Sequence, residues 1–368
     1  MSLQRGIASL SAIWGAYVAV RIGSGTEVLT LQNVRRYFPL RPAFPWTRDT
    51  PYVRAVDGVS LAVHEHQTLS LVGESGCGKT TTARLVLGLE RPDSGRILFR
   101  GAELQVDRQA RRAARGTIQA VFQNPWSSLN PRMRVGDSIA EPLVISERAN
   151  GSLLRAKVGE LLLAVGLEPA MARNYPHEFS GGQRQRIAIA RSMSVDPTLI
   201  VLDEPVSGLD VSMRAQIMNL LRDLQRAKGL SYFLIAHDLA TVRYMSHHVA
   251  IMYLGQIVEL AASDDLFEAP VHPYTVSLID AATPVGPSEA KHIVLRGEVP
   301  SAANPPSGCR FHTRCWLYEQ LDRPEVCRRA EPDLLPVHPG TADERVARCH
   351  FSSTSVVSGP LRAAALKG

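Results

Sequence analysis

Two adjacent carboxylates, Asp203 and Glu204, close a short apolar run, Leu199-Ile200-Val201-Leu202. An apolar run bounded by turn residues suits a buried parallel strand. Acids at the end of such a strand suit a metal ligand and a base: Asp203 would hold Mg²⁺ through its water shell, and Glu204 would polarise an attacking water. The competing use of such a pair is to cap the helix that follows. A cradle for a phosphate lies upstream, where Gly73-Glu74-Ser75-Gly76-Cys77-Gly78-Lys79-Thr80 matches G-x-x-x-x-G-K-[ST] at every fixed position. Its glycines permit a tight loop whose N–H groups point at β- and γ-phosphates. Lys79 supplies positive charge and the Thr80 hydroxyl a Mg²⁺ ligand. The phosphate-binding candidates are thus Gly73, Ser75, Gly76, Cys77, Gly78, Lys79, Thr80 and Thr81, with Cys77 read as a small tolerated residue rather than a redox group. A third signal, Ser180-Gly181-Gly182-Gln183, is a turn with backbone N–H groups free to face an anion, at the positive end of a basic helix, Arg184 to Met193.

Several elements must position these groups. Thr68 to Val72 reads as the strand leading into the phosphate loop, and Thr81 to Leu89 as the helix leaving it. Val28 to Val34 and Ala55 to Val63 are strand-like, separated by a Pro-rich loop over 39–51. Residues 91–101 read as a hairpin, Arg108 to Arg115 as a basic helix with a solvated face, and Val121 to Pro125 as a strand end. Helical patterns follow over Val135 to Val144 and Leu153 to Val165, the latter with Leu161, Leu162 and Val165 at helical spacing. Beyond Asp203, Ala215 to Lys228 is an amphipathic helix and Tyr232 to Ala236 a buried strand that delivers His237. Val249 to Glu259 is a strand pair around Gly255. His247 and His248 are expected at the surface.

With 368 residues, 45% of them hydrophobic and 21% charged, the chain can bury a large core divided into two or three domains. No apolar run reaches the roughly 18 residues of a membrane span. The formal charge of +6 is a mild bias that fits nucleotide or an anionic leaflet and does not argue for nucleic acid. Residues 1–27 read as a flexible extension, with a signal-like apolar segment from Ile7 to Val20 as the alternative. Cys309-x5-Cys315-x11-Cys327-x21-Cys349 follows a Pro-rich linker, and with no convincing secretory signal four such cysteines suggest a metal site rather than disulfides. Four thiolates suit zinc or an iron–sulfur cluster, with His312 and His350 as spare ligands. The tail after Ser352 is expected to be disordered.

The phosphate loop, Ser180 to Gln183 and Asp203-Glu204 together resemble an ABC-type ATPase. Leu266 to Thr275, with its His272-Pro273-Tyr274-Thr275 run, resembles the C-terminal extension of ATPases that power dipeptide, oligopeptide and nickel importers. The Pro-rich insertion before Ala55 resembles the second of the two ATPases paired in those importers. The resemblance covers about residues 28–350. It implies an α/β P-loop NTPase, an ABC cassette over 28–262 with an inserted helical subdomain at about 124–178 and an antiparallel β subdomain. A small Cys-rich C-terminal extension would occupy 263–350, and a tail 351–368. It further implies that Gln123 contacts the Mg²⁺ site and senses a transmembrane partner, and that Phe38, with Tyr37 as the alternative, stacks on adenine. His237 would hold the attacking water against the γ-phosphate, and Ser207 to Asp210 would form the loop through which two cassettes touch. Ser180 to Gln183 would then face the nucleotide of the partner cassette. Cys309, Cys315, Cys327 and Cys349 would bind a [4Fe–4S] cluster. The implied activity is ATP hydrolysis driving import of peptides, with nickel or another small solute as the alternative cargo. The implied setting is the cytoplasmic face of the cytoplasmic membrane, with a second and different ATPase, two permeases and an extracytoplasmic solute-binding protein. ABC-type ATPases of translation or DNA repair carry two cassettes or a long coiled coil, and neither is present. Exporter ATPases are disfavoured by the His-Pro-Tyr-Thr extension.

Overall fold

The computed structural model describes residues 25–40, 51–104, 114, 116–146, 151–282, 295, 297–338 and 345–352. The expectations for the N-terminal extension, most of the Pro-rich loop, the basic helix Arg108 to Arg115 and the tail lie outside the described residues. In chain order the strands are β1 (Glu27–Pro39), β2 (Tyr52–His64), β3 (Thr68–Val72), β4 (Ser94–Phe99), β5 (Ala102–Glu103) and β6 (Ile118–Val121). They continue with β7 (Leu199–Asp203), β8 (Ser231–Ala236), β9 (His248–Tyr253), β10 (Gln256–Ala262), β11 (Leu335–Pro336) and β12 (Val346–Ala347). The helices that position the site are α1 (Lys79–Val86), α2 (Pro125–Ser128), α3 (Val135–Ile145), α4 (Gly151–Ala164), α5 (Gly181–Met193) and α6 (Val211–Lys228). After them come α7 (Leu239–Met245), α8 (Ser263–Glu268), α9 (Pro273–Ala282), α10 (Trp316–Gln320) and α11 (Val326–Arg329).

The central sheet runs β11-β12-β10-β9-β3-β8-β7-β6, and the strands from β9 to β6 pair in parallel. Its middle strands are buried on both faces, which their unbroken apolar runs require. Alternate residues serve two different cores. Leu199, Val201, Phe233 and Ile235 pack with the antiparallel sheet β2-β1-β4-β5 and with α1. Ile200, Leu202, Tyr232 and Leu234 pack on the opposite face with Ile187 and Ile189 of α5 and with Ile217, Leu221 and Leu224 of α6. The spacing of Ile217, Leu221, Leu224 and Gln225 puts one stripe of α6 against the sheet.

Two element boundaries differ from the sequence reading in ways that matter for chemistry. The helix expected from Thr81 to Leu89 begins at Lys79, so Lys79 and Thr80 lie in its first turn. It stops before Gly88, whose φ of +67° breaks the helical path. The basic helix expected from Arg184 begins at Gly181, because Ser180 caps it: its Oγ accepts from the Gln183 N–H, and the Gln183 side chain accepts from the Ser180 N–H. The glycines are therefore the first residues of a capped helix rather than a turn before it. His247 is exposed, as expected, and its Nδ1 accepts from the Thr68 N–H at 3.0 Å; His248 is half-buried at the start of β9.

Candidate functional site

The phosphate loop spans the gap between β3 and α1. A Cβ on Gly78 would stand 2.0 Å from the Ala55 carbonyl and one on Gly73 2.2 Å from the Met252 carbonyl, so the backbone approaches its neighbours too closely for any side chain there. The side chain of Lys79 is curled inside the loop, and its Nζ donates to the Gly73 and Glu74 carbonyls at 2.7 and 2.9 Å. Ser75, Gly76 and Thr80 are exposed, Thr81 is half-buried and Cys77 is buried. Burial pushes the Cys77 thiol up, against the pull of Lys79, which keeps it un-ionised and fits a packing residue.

The strand ends beside the loop supply the acids. At the end of β7, Asp203 is half-buried. Burial, and then the charge of Glu204, push its carboxyl up, while Lys79 and Arg84 pull it down. A divalent cation at that carboxylate would remove this penalty. Glu204 leaves the strand with φ of +49°, a left-handed conformation that costs a non-glycine residue about 1–3 kcal/mol, and its N–H donates to the Ile235 carbonyl of β8 at 2.9 Å. That bend brings three sequence-distant groups together. One Glu204 oxygen accepts from Gln123 Nε2 at 3.0 Å, and the other lies 3.1 Å from His237 Nδ1. Gln123 follows β6 and His237 follows β8, so both stand beside β7 at the same end of the parallel sheet. Ligands of open α/β sheets bind outside the carboxyl ends of the strands.

Other expected site residues stand apart from this group. Among the described residues, the hydrogen bonds of Ser180 and Gln183 do not reach the phosphate loop. They bond each other, Gly181 and Gly182 face Leu209 and Met213, and Ser180 and Gly181 are exposed. Asp210 is exposed and caps α6, accepting from the Met213 N–H at 2.8 Å. Phe38 is half-buried with the Arg36 guanidinium 4.6 Å from its ring centre. Tyr37 is committed elsewhere, since its hydroxyl donates to Asp57 Oδ1 at 2.6 Å, which leaves Phe38 as the aromatic available for stacking.

The four C-terminal cysteines converge. Burial pushes Cys309 up to about 11 and Cys349 up to about 12, and also raises Cys315 and Cys327. The charges of Cys309 and Cys349 raise Cys315, and those of Cys309 and Cys327 raise Cys349. Among the described residues, no group of three or more His, Cys, Asp or Glu side chains stands close enough to hold one metal ion. His312 Nδ1 pairs with the Cys309 carbonyl and His350 Nε2 with the Ala330 carbonyl, so neither spare ligand points at a metal.

Three pairings around the phosphate loop are not marked by any motif. The Glu74 N–H donates to the Tyr274 hydroxyl, and the Glu74 carboxylate is gripped by Arg314, while Arg310 binds Asp57. The only trace in the sequence is a pair of arginines four residues apart inside the Cys309–Cys315 spacing.

Comparison with known proteins agrees with this geometry. The family described as ABC transporter matches residues 56–207, and the family described as oligopeptide/dipeptide transporter, C-terminal region, matches residues 258–320. The probable peptide ABC transporter ATP-binding protein y4tS of Sinorhizobium fredii is 46% identical over 333 residues, covering 90% of this chain and 92% of that one. The oligopeptide transport ATP-binding protein AppF of Bacillus subtilis is 44% identical, covering 89% and 98%. OppF of Escherichia coli, also an oligopeptide transport ATP-binding protein, is 46% identical, covering 83% and 92%. Among solved structures, the ATP-binding cassette MJ0796, as a dimer in a post-hydrolysis state bound to ADP and Pi, aligns with a TM-score of 0.56 at 26% identity, over 64% of this chain and 98% of that one. The cbiO1 protein of Clostridium perfringens, part of an ABC transporter complex, aligns at 0.57 and 25% identity, over 66% and 91%. With its cassette core and its C-terminal region both matched, the chain belongs to the ATP-binding proteins of the oligopeptide/dipeptide ABC transporter family.

Proposed function

We propose that this chain hydrolyses ATP to drive import of di- or oligopeptides, as the nucleotide-binding subunit of a transporter at the cytoplasmic face of the cytoplasmic membrane. The observation that carries the reading is the Glu204 carboxylate held between Gln123 and His237 at the end of β7. A base at that place is oriented before substrate arrives.

In this mechanism Lys79 neutralises the β- and γ-phosphates, and the loop N–H groups from Gly73 to Thr81 orient them. Thr80, Asp203 and Gln123 would hold Mg²⁺, whose positive charge lowers the cost of negative charge on the phosphates. Glu204 accepts a proton from the attacking water, and His237 keeps that water in line with the γ-phosphate. Phe38 stacks on adenine. Ser180, Gly181, Gly182 and Gln183 present the positive end of α5 to the nucleotide of a second cassette, with Asp210 at the contact between the two. The second cassette is read as a different chain, and two permeases and an extracytoplasmic solute-binding protein complete the assembly, with no nucleic acid. The named relatives support the peptide cargo, and the dimeric cassette supports the pairing.

Cys309, Cys315, Cys327 and Cys349 are read as the ligands of a [4Fe–4S] cluster. What supports this is that burial raises all four thiols and that neighbouring cysteines further disfavour ionisation of Cys309, Cys315 and Cys349, a penalty bound cations would relieve. Such a cluster would tie the C-terminal segment to the cassette. Anaerobically purified protein should carry iron and acid-labile sulfide; iron-free, colourless protein overturns the assignment.

The hydrolytic assignment is tested with Glu204→Gln in the assembled transporter. ATP binding should persist and turnover should fall by about 10² or more. Unchanged turnover refutes the role of Glu204.

A further inference from the structure

Arg310 and Arg314 lie on the short loop between Cys309 and Cys315, and their side chains are 5% and 6% exposed. Phe311 between them is buried in a ring cluster with Tyr253, Tyr274 and His272, which pegs the loop to β9 and to the start of α9. Each arginine leaves this peg toward a different part of the cassette.

Arg314 reaches the phosphate loop. Its Nη1 and Nη2 donate to the two Glu74 oxygens at 2.7 and 3.1 Å, a two-pronged grip that sets orientation as well as distance. Every polar part of Glu74 is thereby engaged. Arg314 holds the carboxylate, the Tyr274 hydroxyl accepts from the N–H at 3.0 Å, and Lys79 Nζ donates to the carbonyl at 2.9 Å. Glu74 follows the first glycine of the loop, so its placement sets the path of the backbone that must point N–H groups at phosphate.

Arg310 reaches the other end. It donates to Asp57, and its Nη1 donates to the Leu254 carbonyl at 2.6 Å. Asp57 Oδ1 in turn accepts from the Tyr37 hydroxyl at 2.6 Å and from Arg35 Nε at 3.3 Å. Tyr37 immediately precedes Phe38. The hydrogen bonds of Tyr37 and Arg310 hold the Asp57 carboxyl below the usual carboxylate range although burial raises it.

We propose that the Cys309–Cys315 loop is a positioning bracket for ATP, with Arg314 and Tyr274 setting the phosphate end of the site through Glu74 and Arg310 setting the base end through Asp57 and Tyr37. The inference rests on the reading of the phosphate loop and Phe38 as nucleotide contacts. Stability alone is a weak account of these pairs, because buried ion pairs are matched or surpassed in stability by apolar residues of similar volume. What the two-pronged Arg314–Glu74 pair and the buried Arg310–Asp57 pair add is fixed geometry.

The test titrates the full-length chain with Mg-ATP and, separately, with inorganic triphosphate, which has no base. Arg314→Met and Tyr274→Phe are expected to weaken both ligands about tenfold. Arg310→Met is expected to weaken ATP by a similar factor and to leave triphosphate affinity unchanged. In the assembled transporter the KM for ATP should rise in all three while kcat stays within about twofold. If Arg314→Met fails to fold, Tyr274→Phe decides, since it removes one hydroxyl and keeps the ring. Lowered thermal stability with unchanged affinity in Tyr274→Phe and Arg314→Met overturns the proposal, and equal weakening of triphosphate by Arg310→Met overturns its base-end half. Lys79→Ala is the control. If it too leaves affinity unchanged, the phosphate-site reading has failed rather than the bracket.

Discussion

Glu204, the proposed base, sits in an unfavourable backbone conformation, and the neighbours that hold it explain why that is tolerated. Its N–H is bonded to β8 and its carboxylate to Gln123 and His237, so three contacting groups from the ends of β8 and β6 share the cost of the bend. His237 is 61% exposed and stands 3.1 Å from Glu204, and in the proposed mechanism its contribution is to position the base and the water. His237→Ala should therefore retain ATP affinity and lower turnover by about 10²-fold. Measurement of KM and kcat in the assembled transporter checks this, and a loss confined to KM would place His237 in binding instead. Lys79 differs, since its Nζ donates to the loop's own Gly73 and Glu74 carbonyls.

At the scale of elements, helix starts carry much of the function. Helix α1 begins at Lys79 and α5 at Gly181, and each leaves its first backbone N–H groups facing outward at a glycine-rich entry. The junction between β10 and α9 is different, being built for rigidity. Glu259 is fully buried and its oxygens accept from the Val271 and His272 N–H groups at 3.0 and 2.9 Å. His272 is likewise buried, and its Nδ1 accepts from the Tyr274 N–H. Burial pushes its pKa down from 6.5 to about 3, with Arg348 close by. The unfolded chain then binds a proton that the folded chain refuses between those values, so this group's stabilisation is complete above 6.5 and is lost as the pH falls. The loss approaches about 1.4 kcal/mol per pH unit. Glu259, raised by burial, acts with the opposite sign, but only near and above its ordinary carboxylate range. Urea unfolding at pH 7, 6 and 5 should show this acid-side loss, and His272→Asn should flatten it. Identical pH slopes in the two proteins would rule out His272 as the source.

For the whole molecule, the placement of the two glycine-rich entries is decisive. The phosphate loop joins Asp203, Glu204 and His237 in one group, whereas Ser180, Gly181 and Asp210 stand exposed and bonded only locally. On the proposed reading, a complete site needs the exposed entry of a second cassette. The isolated chain should be a poor ATPase whose turnover per chain rises with protein concentration or on addition of the partner cassette. Turnover independent of both would count against the paired arrangement. No helix among the described residues is long and apolar enough to cross a membrane.

Much of this was legible in the residues because local constraints are local in sequence. A tight phosphate loop needs glycines at set spacings, and a strand buried on both faces must be an unbroken apolar run. Gly73 to Thr80, β3, β7 and β8 accordingly announce themselves. The boundaries of α1 and α5 were misplaced because a cap and a positive-φ glycine move a helix end by a turn without altering the apolar pattern. What only the tertiary structure decided is which distant residues meet. Gln123, Glu204 and His237 converge because three strands pair in parallel and end together. Arg314 finds Glu74 across 240 positions because an aromatic peg docks the C-terminal loop on β9. Side-chain spacing along the chain encodes the shape of each element, but the partner of a buried charge is set by how elements pack.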